Sequence, residues 1–190
     1  MQFGNKLLAG VFAGLVLGIV VGVTVLDLSY GNACPSRICV GSADVVPVSD
    51  RGYFGELHKA LAGAKKSIHI AAFEFKYYPN YGNSSMNVIV NDLIEAKRRG
   101  VDVKVVVDEY SDRDNAYDVL AANGVEIKYD SNSTTTHAKL FIVDGEIVIL
   151  GSTNLSYTSF EKNNEVNVLI RDGRVAGYFE SYFRRLWESS

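Results

Sequence analysis

The sequence predicts an α/β domain in which helices pack against a β-sheet, and three observations favour this class. From residue 44 onward, short apolar runs alternate with amphipathic stretches. The run 101–107, V-D-V-K-V-V-V, has valine at five of its seven positions, which favours a buried strand. Gly100 and Gly124 follow two of the amphipathic stretches directly, at the position where glycine commonly ends a helix.

The individual elements follow from the local patterns in chain order. Strands are predicted at 45–48, 67–75, 101–107, 125–129 and 165–170, and helices at 52–66, 86–99, 113–123 and 173–187. Between residues 137 and 154, two apolar runs flank an Asp-Gly dipeptide at 144–145, which is a strong signal for a two-residue hairpin turn. A regular turn there would pair Val143 with Glu146 and, further back, His137 with Ser152.

An uncharged stretch, residues 7–26, precedes this domain and matches the length of a helix that crosses a bilayer. We therefore expect a transmembrane anchor at 1–28, a linker at 29–43 and a single domain at 44–190. A cleaved signal peptide, which would leave a secreted domain, is the competing interpretation. Lys6 before the stretch and Asp27 after it favour a domain outside the cytoplasm.

The linker contains both cysteines of the chain, Cys34 and Cys39. With no histidine nearby, they do not complete an ordinary four-ligand zinc site. In an oxidising compartment they would form a disulfide with a small loop, whereas in the cytosol they would be two free thiols. The expected topology favours the disulfide.

Two adjacent segments carry most of the candidate chemistry: T-H-A-K-L-F-I-V-D-G at 136–145 and G-S-T-N at 151–154. Alternate side chains of a strand share a face, so His137 and Lys139 should point the same way. The expected hairpin would bring Ser152 and Asn154 to the same side. An imidazole, an ammonium, a hydroxyl and an amide together suit an anionic tetrahedral group, and a phosphodiester fits best.

The pattern H-x-K-x4-D followed by G-S-x-N, with Glu165 in K-N-N-E-V, resembles the phospholipase D superfamily. Its spacing is most similar to that of the superfamily's short, single-motif endonucleases, and the resemblance covers residues 44–188. It implies a phospholipase D-like mixed sheet flanked by helices, and a metal-independent phosphodiesterase without a cofactor. It also implies that His137 attacks phosphorus to form a phosphohistidine, while Lys139, Ser152 and Asn154 hold the phosphate oxygens.

Two further residues complete the catalytic candidates. Asp144 belongs to the signature, but in a regular strand it faces away from His137 and lies at a turn, so a structural or electrostatic role is expected. Glu165 is expected to orient the imidazole through a hydrogen bond to one ring nitrogen, with an exposed strand glutamate as the alternative. The other histidines, His58 and His69, are expected to be structural.

The chain carries one motif, whereas two-step phosphoryl transfer needs one histidine to attack and another to protonate the leaving group. The resemblance implies a homodimer whose motifs meet at a two-fold axis. Along the predicted span, glycines recur every four residues, at Gly10, Gly14, Gly18 and Gly22. This spacing could let two anchors pack together, although glycine is common in membrane helices in general.

Nucleic acid is the first expected substrate, and a phospholipid such as cardiolipin is the alternative. The net charge of −3 argues against a grip on nucleic acid by the whole surface, so any affinity must come from local patches. A catalytically silent binding or scaffold protein is a third class, which the intact motif disfavours.

Overall fold

The computed structural model describes residues 43–109, 115–131 and 133–190, which belong to one compact unit. The predicted anchor at 7–26 and both cysteines lie outside these residues. Within the described ranges, no helix has both the length and the apolar character needed to cross a bilayer.

Seven strands form one sheet. They are β1 (Asp44–Ser49), β2 (Ser67–Ala72), β3 (Asp102–Val107), β4 (Glu126–Tyr129), β5 (Lys139–Val143), β6 (Ile147–Gly151) and β7 (Val166–Arg171). Their order across the sheet is β1-β7-β6-β5-β2-β3-β4. The pairs β2–β3 and β3–β4 are parallel and the other pairs are antiparallel, so the predicted mixed sheet is confirmed.

Five helices flank the sheet in the described part of the chain: α1 (Gly52–Gly63), α2 (Ser85–Arg98), α3 (Tyr117–Ala122), α4 (Tyr157–Glu161) and α5 (Gly173–Ser189). Local capping explains two of the starts. The Ser84 hydroxyl accepts a hydrogen bond from the N–H of Asn87 ahead of α2, and the Asp172 carboxylate accepts from the N–H groups of Arg174 and Val175 ahead of α5. The short helix α4 is absent from the sequence-based expectations.

The two faces of the sheet bury separate apolar layers. The larger layer packs helices α1, α2, α3 and α4 against residues such as Ile70, Val105 and Phe141. The smaller layer packs α5, through Val175 and Phe183, against the opposite face. Side chains that alternate along β5 therefore enter different layers, as the period of two requires.

The hairpin between β5 and β6 has the predicted turn but not the predicted register. Both central residues, 144 and 145, have positive φ, 57° and 67°, and the N–H of Glu146 donates to the carbonyl of Val143 at 3.0 Å. However, Val143 pairs with Ile147, so Glu146 is an extra residue of the kind found in a bulge. Continued along β5, this register puts residue 153, not Ser152, opposite His137.

Candidate active site

Most of the candidate residues lie along one edge of the sheet, where β2 and β6 end and β5 and β7 begin. His137 lies just before β5, and Lys139, the first residue of that strand, pairs with Ala72 at the end of β2. Ser152 follows the end of β6, and Glu165 precedes the start of β7. Antiparallel pairing places strand ends beside strand starts. The fold therefore brings together residues that lie far apart in the sequence.

The imidazole of His137 is exposed, and an aromatic ring lies against it. The centroid of the Phe73 ring is 4.6 Å from that of His137, with the two planes tilted by 54°. The Nζ atom of Lys139 lies 5.1 Å from the same Phe73 centroid and donates to the carbonyl oxygen of His137 at 3.0 Å. The Phe73 ring thus lies close to both candidate groups. Its place just after β2 gives no sequence signal for this contact.

The ammonium of Lys139 is partly buried at this edge. Burial lowers the pKa of Lys139 from its ordinary value, and the negative charges of Glu165 and Glu74 oppose that shift. A partly desolvated cation interacts more strongly with an anion than an exposed one does, because water screens it less. Lys139 is therefore suited to bind a phosphate oxygen beside His137.

Glu165 is buried, and both of its carboxylate oxygens accept hydrogen bonds from neighbouring side chains. One carboxylate oxygen accepts a short hydrogen bond from the Ser152 hydroxyl, and the other accepts from the Asn163 side chain at 3.0 Å. Among the described residues, the His137 ring has no hydrogen bond to Glu165. The expectation that Glu165 orients the imidazole thus stays a prediction.

The hydroxyl of Ser152 both donates and accepts a hydrogen bond within the chain. It donates to Glu165 and accepts from the N–H of Val166 at 3.1 Å. To bind a phosphate, Ser152 would have to exchange its bond to Glu165 for one to the substrate. Asn154 is partly buried, and its Oδ1 atom has no hydrogen-bond partner among the described residues.

Asp144 lies at the far end of β5 from His137. Its carboxylate accepts from the backbone N–H groups of Lys65 (3.0 Å to each oxygen), Lys66 (2.6 Å) and Ser67 (3.1 Å). These groups form the connection between α1 and β2. Of its two expected roles, the geometry favours the structural one, so Asp144 does not belong among the groups at the catalytic edge.

Gly151 lets β7 approach the signature closely. A Cβ atom at this position would meet the Asn167 Oδ1 atom, and would lie 2.5 Å from the Val166 carbonyl oxygen and 2.6 Å from the Asn167 Cα. Asn167 itself bonds to Thr153 twice, through side-chain Nδ2 to Oγ1 at 2.8 Å and through the backbone N–H of Thr153 to Oδ1 at 3.3 Å. Sequence reasoning missed Asn167, although it lies two residues beyond Glu165.

A cluster of carboxylates lies behind the loop that leads into His137. Ligand atoms of Asp108, Glu109 and Asp130 lie within 4.8 Å of one another, and Asp108 and Asp130 both accept from the backbone N–H of Thr136. A hydrogen bond with Asp130, together with nearby negative charge, raises the pKa of Glu109. Asp108 and Glu109 are consecutive, but Asp130 lies in a separate segment, so the cluster is not visible in the sequence.

The remaining histidines pair with carboxylates. His58 in α1 lies 2.7 Å from Asp92 of α2, and His69 in β2 lies 2.7 Å from Glu180 of α5. Both pairs join neighbouring elements, which accords with the structural roles expected for these histidines.

Two cavities flank His137, and its side chain lines both. One, of about 450 Å³, is largely apolar and includes Leu140, Leu150 and Phe179. The other, of about 400 Å³, is bounded by Ser131, by residues 133–136 and by the last turns of α5. The side chain of His137 thus lies between two cavities with different linings.

The seven-stranded sheet and the histidine-lysine edge define a phospholipase D-like domain with one motif per chain. The family model "Cardiolipin synthase, PLD-like domain" matches residues 57–187, and the chain belongs to this family, within the phospholipase D superfamily.

Similar proteins are named for different activities. The chain is 31% identical to the mitochondrial cardiolipin hydrolase of Xenopus laevis over 138 residues, 71% of this chain and 61% of that protein. It is 24% identical to the virion nicking-joining enzyme of vaccinia virus, covering 70% of this chain and 33% of that protein. The chain thus spans less than two thirds of the length of these curated relatives.

Among solved structures, the phospholipase D family member Nuc from Salmonella typhimurium superposes with a TM-score of 0.68 at 29% identity. The match covers 78% of this chain and 96% of that chain. The described domain therefore corresponds to nearly the whole of that structure.

Proposed function

We propose that this protein is a metal-independent phosphodiesterase that works as a homodimer through a phosphohistidine. The observation that carries the proposal is the pairing of an exposed imidazole, His137, with the partly buried ammonium of Lys139 at one sheet edge. The imidazole is accessible to a phosphorus atom, and the ammonium lies where it can neutralise the phosphate oxygens.

The reaction has two displacement steps. A ring nitrogen of His137 attacks phosphorus, the bond from phosphorus to the leaving oxygen breaks, and His137 of the second protomer gives that oxygen a proton. The second histidine then takes a proton from water, whose oxygen attacks phosphorus and displaces the first histidine. The net change is hydrolysis of one ester bond. Lys139 and Asn154 hold the phosphate oxygens, joined by Ser152 once it leaves Glu165.

Nucleic acid is the proposed substrate class, cleaved in an endonuclease reaction. The likeness to Nuc extends over nearly all of that structure, and the exposed His137 sits between two open cavities that a polymer could cross. The chain's net charge of −3 means that binding must depend on this site rather than on the whole surface.

Phospholipid hydrolysis is the second candidate. The apolar cavity beside His137, which includes Leu140, Leu150 and Phe179, could accept the apolar part of a lipid. The likeness to the cardiolipin hydrolase of Xenopus laevis supports this candidate as well. A membrane anchor at 7–26 would hold the domain near a bilayer.

The test uses the purified full-length protein with chelator present. Single-stranded DNA, duplex DNA, RNA and cardiolipin-containing vesicles are assayed in parallel, with His137→Ala as the inactive variant and His58→Ala as the matched control. We expect His137→Ala to lose turnover and keep binding, while His58→Ala keeps both. Turnover of lipid alone would establish the second candidate, and binding without turnover of any substrate would indicate a scaffold.

We also propose that residues 7–26 anchor the chain, that Cys34 and Cys39 form a disulfide in the linker, and that the domain at 44–190 lies outside the cytoplasm. The support is the length of the uncharged stretch and the charges at its two ends. Replacing Gly14 and Gly18 by leucine should weaken self-association in membranes; unchanged association would exclude a role for the glycine stripe in dimerisation.

A further inference from the structure

The second cavity beside His137 is rich in hydrogen-bond donors. Its wall carries hydroxyl groups from Ser131, Ser133, Thr134 and Thr135, together with the guanidinium group of Arg185 and the imidazole of His137. None of the described residues that line this cavity is acidic. The chain as a whole has a net charge of −3, so this wall of donors without a carboxylate differs in charge from the rest of the protein.

Arg185 is exposed on α5 and has no ion pair or hydrogen bond within the described residues. Other arginines are paired: Arg98 with Glu95 at 2.6 Å and Arg171 with Asp44 at 2.7 Å. The guanidinium group of Arg185 therefore keeps its five donors available at the cavity. Such a group recognises phosphate oxygens through paired hydrogen bonds.

We propose that this cavity is a subsite for a second phosphate, next to the one that reacts at His137. The proposal rests on the proposed function, because the first phosphate is the scissile one. Arg185 would bind the second phosphate, assisted by the hydroxyls of Thr134 and Thr135. Because Arg185 and His137 line one cavity of about 400 Å³, the proposal places the two phosphates at neighbouring positions of one substrate.

Two substrate classes supply phosphates at such a spacing. Successive phosphates of a nucleic-acid strand are joined through one sugar, and the two phosphates of cardiolipin are joined through one glycerol. The subsite would make the protein prefer either of these over a diester that has only one phosphate. It would thereby add a local electrostatic contact that the overall charge of the chain does not provide.

The first experiment compares two variants of the full-length protein, Arg185→Gln and Arg184→Gln. Both remove one exposed positive charge from α5, but Arg184 does not line the cavity. The substrates are a dinucleoside monophosphate, with one phosphodiester only, and the same dinucleotide carrying a terminal phosphate. We expect Arg185→Gln to lower kcat/KM about tenfold on the terminally phosphorylated dinucleotide and to leave the other substrate unchanged.

The control variant Arg184→Gln should behave as wild type on both substrates. Equal losses for the two arginine variants would mean that only general attraction was removed, and would overturn the subsite. An equal loss on both substrates for Arg185→Gln would overturn it too. With lipids, turnover of cardiolipin vesicles is compared with turnover of phosphatidylglycerol vesicles, whose lipid has one phosphate. If Arg185→Gln lowers turnover of cardiolipin but of neither phosphatidylglycerol nor the dinucleotides, the phosphates recognised are those joined through glycerol.

A binding measurement separates this proposal from the catalytic one. Thymidine 3′,5′-bisphosphate should bind about tenfold more tightly than thymidine 3′-monophosphate, and Arg185→Gln should abolish that preference while Arg184→Gln retains it. If the protein hydrolyses nothing and yet shows this pattern, the proposed function fails and the subsite stands. Equal binding of both nucleotides by the wild-type protein, together with no cardiolipin preference, would refute the subsite.

Discussion

Replacing Asp144 by alanine tests whether the aspartate of the signature is structural. The carboxylate accepts from three backbone N–H groups, those of Lys65, Lys66 and Ser67. At about 1 kcal/mol for each bond in this partly exposed setting, the substitution should cost about 3 kcal/mol of unfolding free energy. For a chain of this size that corresponds to a fall of about 6–12 °C in Tm.

The assay is denaturant and thermal unfolding, followed by kinetics well below the Tm of the variant. We expect kcat per folded molecule to stay within about twofold of wild type, because Asp144 lies at the opposite end of β5 from His137. Asp118→Ala is the matched control, since this exposed aspartate of α3 accepts no hydrogen bond from the described residues. A variant with normal stability and no activity would refute the structural assignment.

Three further predictions concern the same edge of the sheet. Gly151→Ala should lower the free energy of unfolding by about 3 kcal/mol or more, because the new Cβ would overlap the backbone of β7. The control Gly177→Ala has open space around its Cβ inside α5, so it should be neutral or stabilising by up to about 1 kcal/mol. Equal unfolding curves for the two variants would contradict the steric argument. Burial lowers the pKa of Lys139, so its ammonium should lose its proton at a lower pH than that of free lysine. In a pH profile, kcat/KM should therefore fall at a lower alkaline pH than the pKa of free lysine. A fall at the pKa of free lysine would argue against a role for the Lys139 ammonium in catalysis. Activity should survive exhaustive treatment with chelator, and its loss would direct attention to the acidic cluster around Asp130.

The local sequence patterns predicted an α/β domain and the locations of most helices and strands, whereas the mixed strand directions were implied by the resemblance to the phospholipase D superfamily. The class and these locations could be predicted because they depend on local rules. Alternation of apolar side chains marked the strands, and Gly100 and Gly124, both with positive φ, mark the ends of helices. Strand geometry also predicted that His137 and Lys139 point the same way, and in the structure both lie close to the Phe73 ring.

Other features needed the tertiary structure. The register of the hairpin depends on a bulge at Glu146, and a bulge is set by packing against neighbouring strands rather than by the turn dipeptide. The hydrogen bond from Ser152 to Glu165 joins the residue after β6 to the residue before β7. The sequence around either residue does not show that the two side chains bond to each other. The packing of Phe73 against His137 is likewise a contact across strands.

The sequence by itself determined which chemical groups this protein has and which strands carry them. Only the tertiary structure decided which of those groups meet: it placed Asp144 at the far end of its strand, and brought Arg185 from the last helix to the cavity that His137 lines. The physical reason is that periodicity acts over a few residues, whereas these contacts depend on how strands and helices from distant parts of the chain pack together.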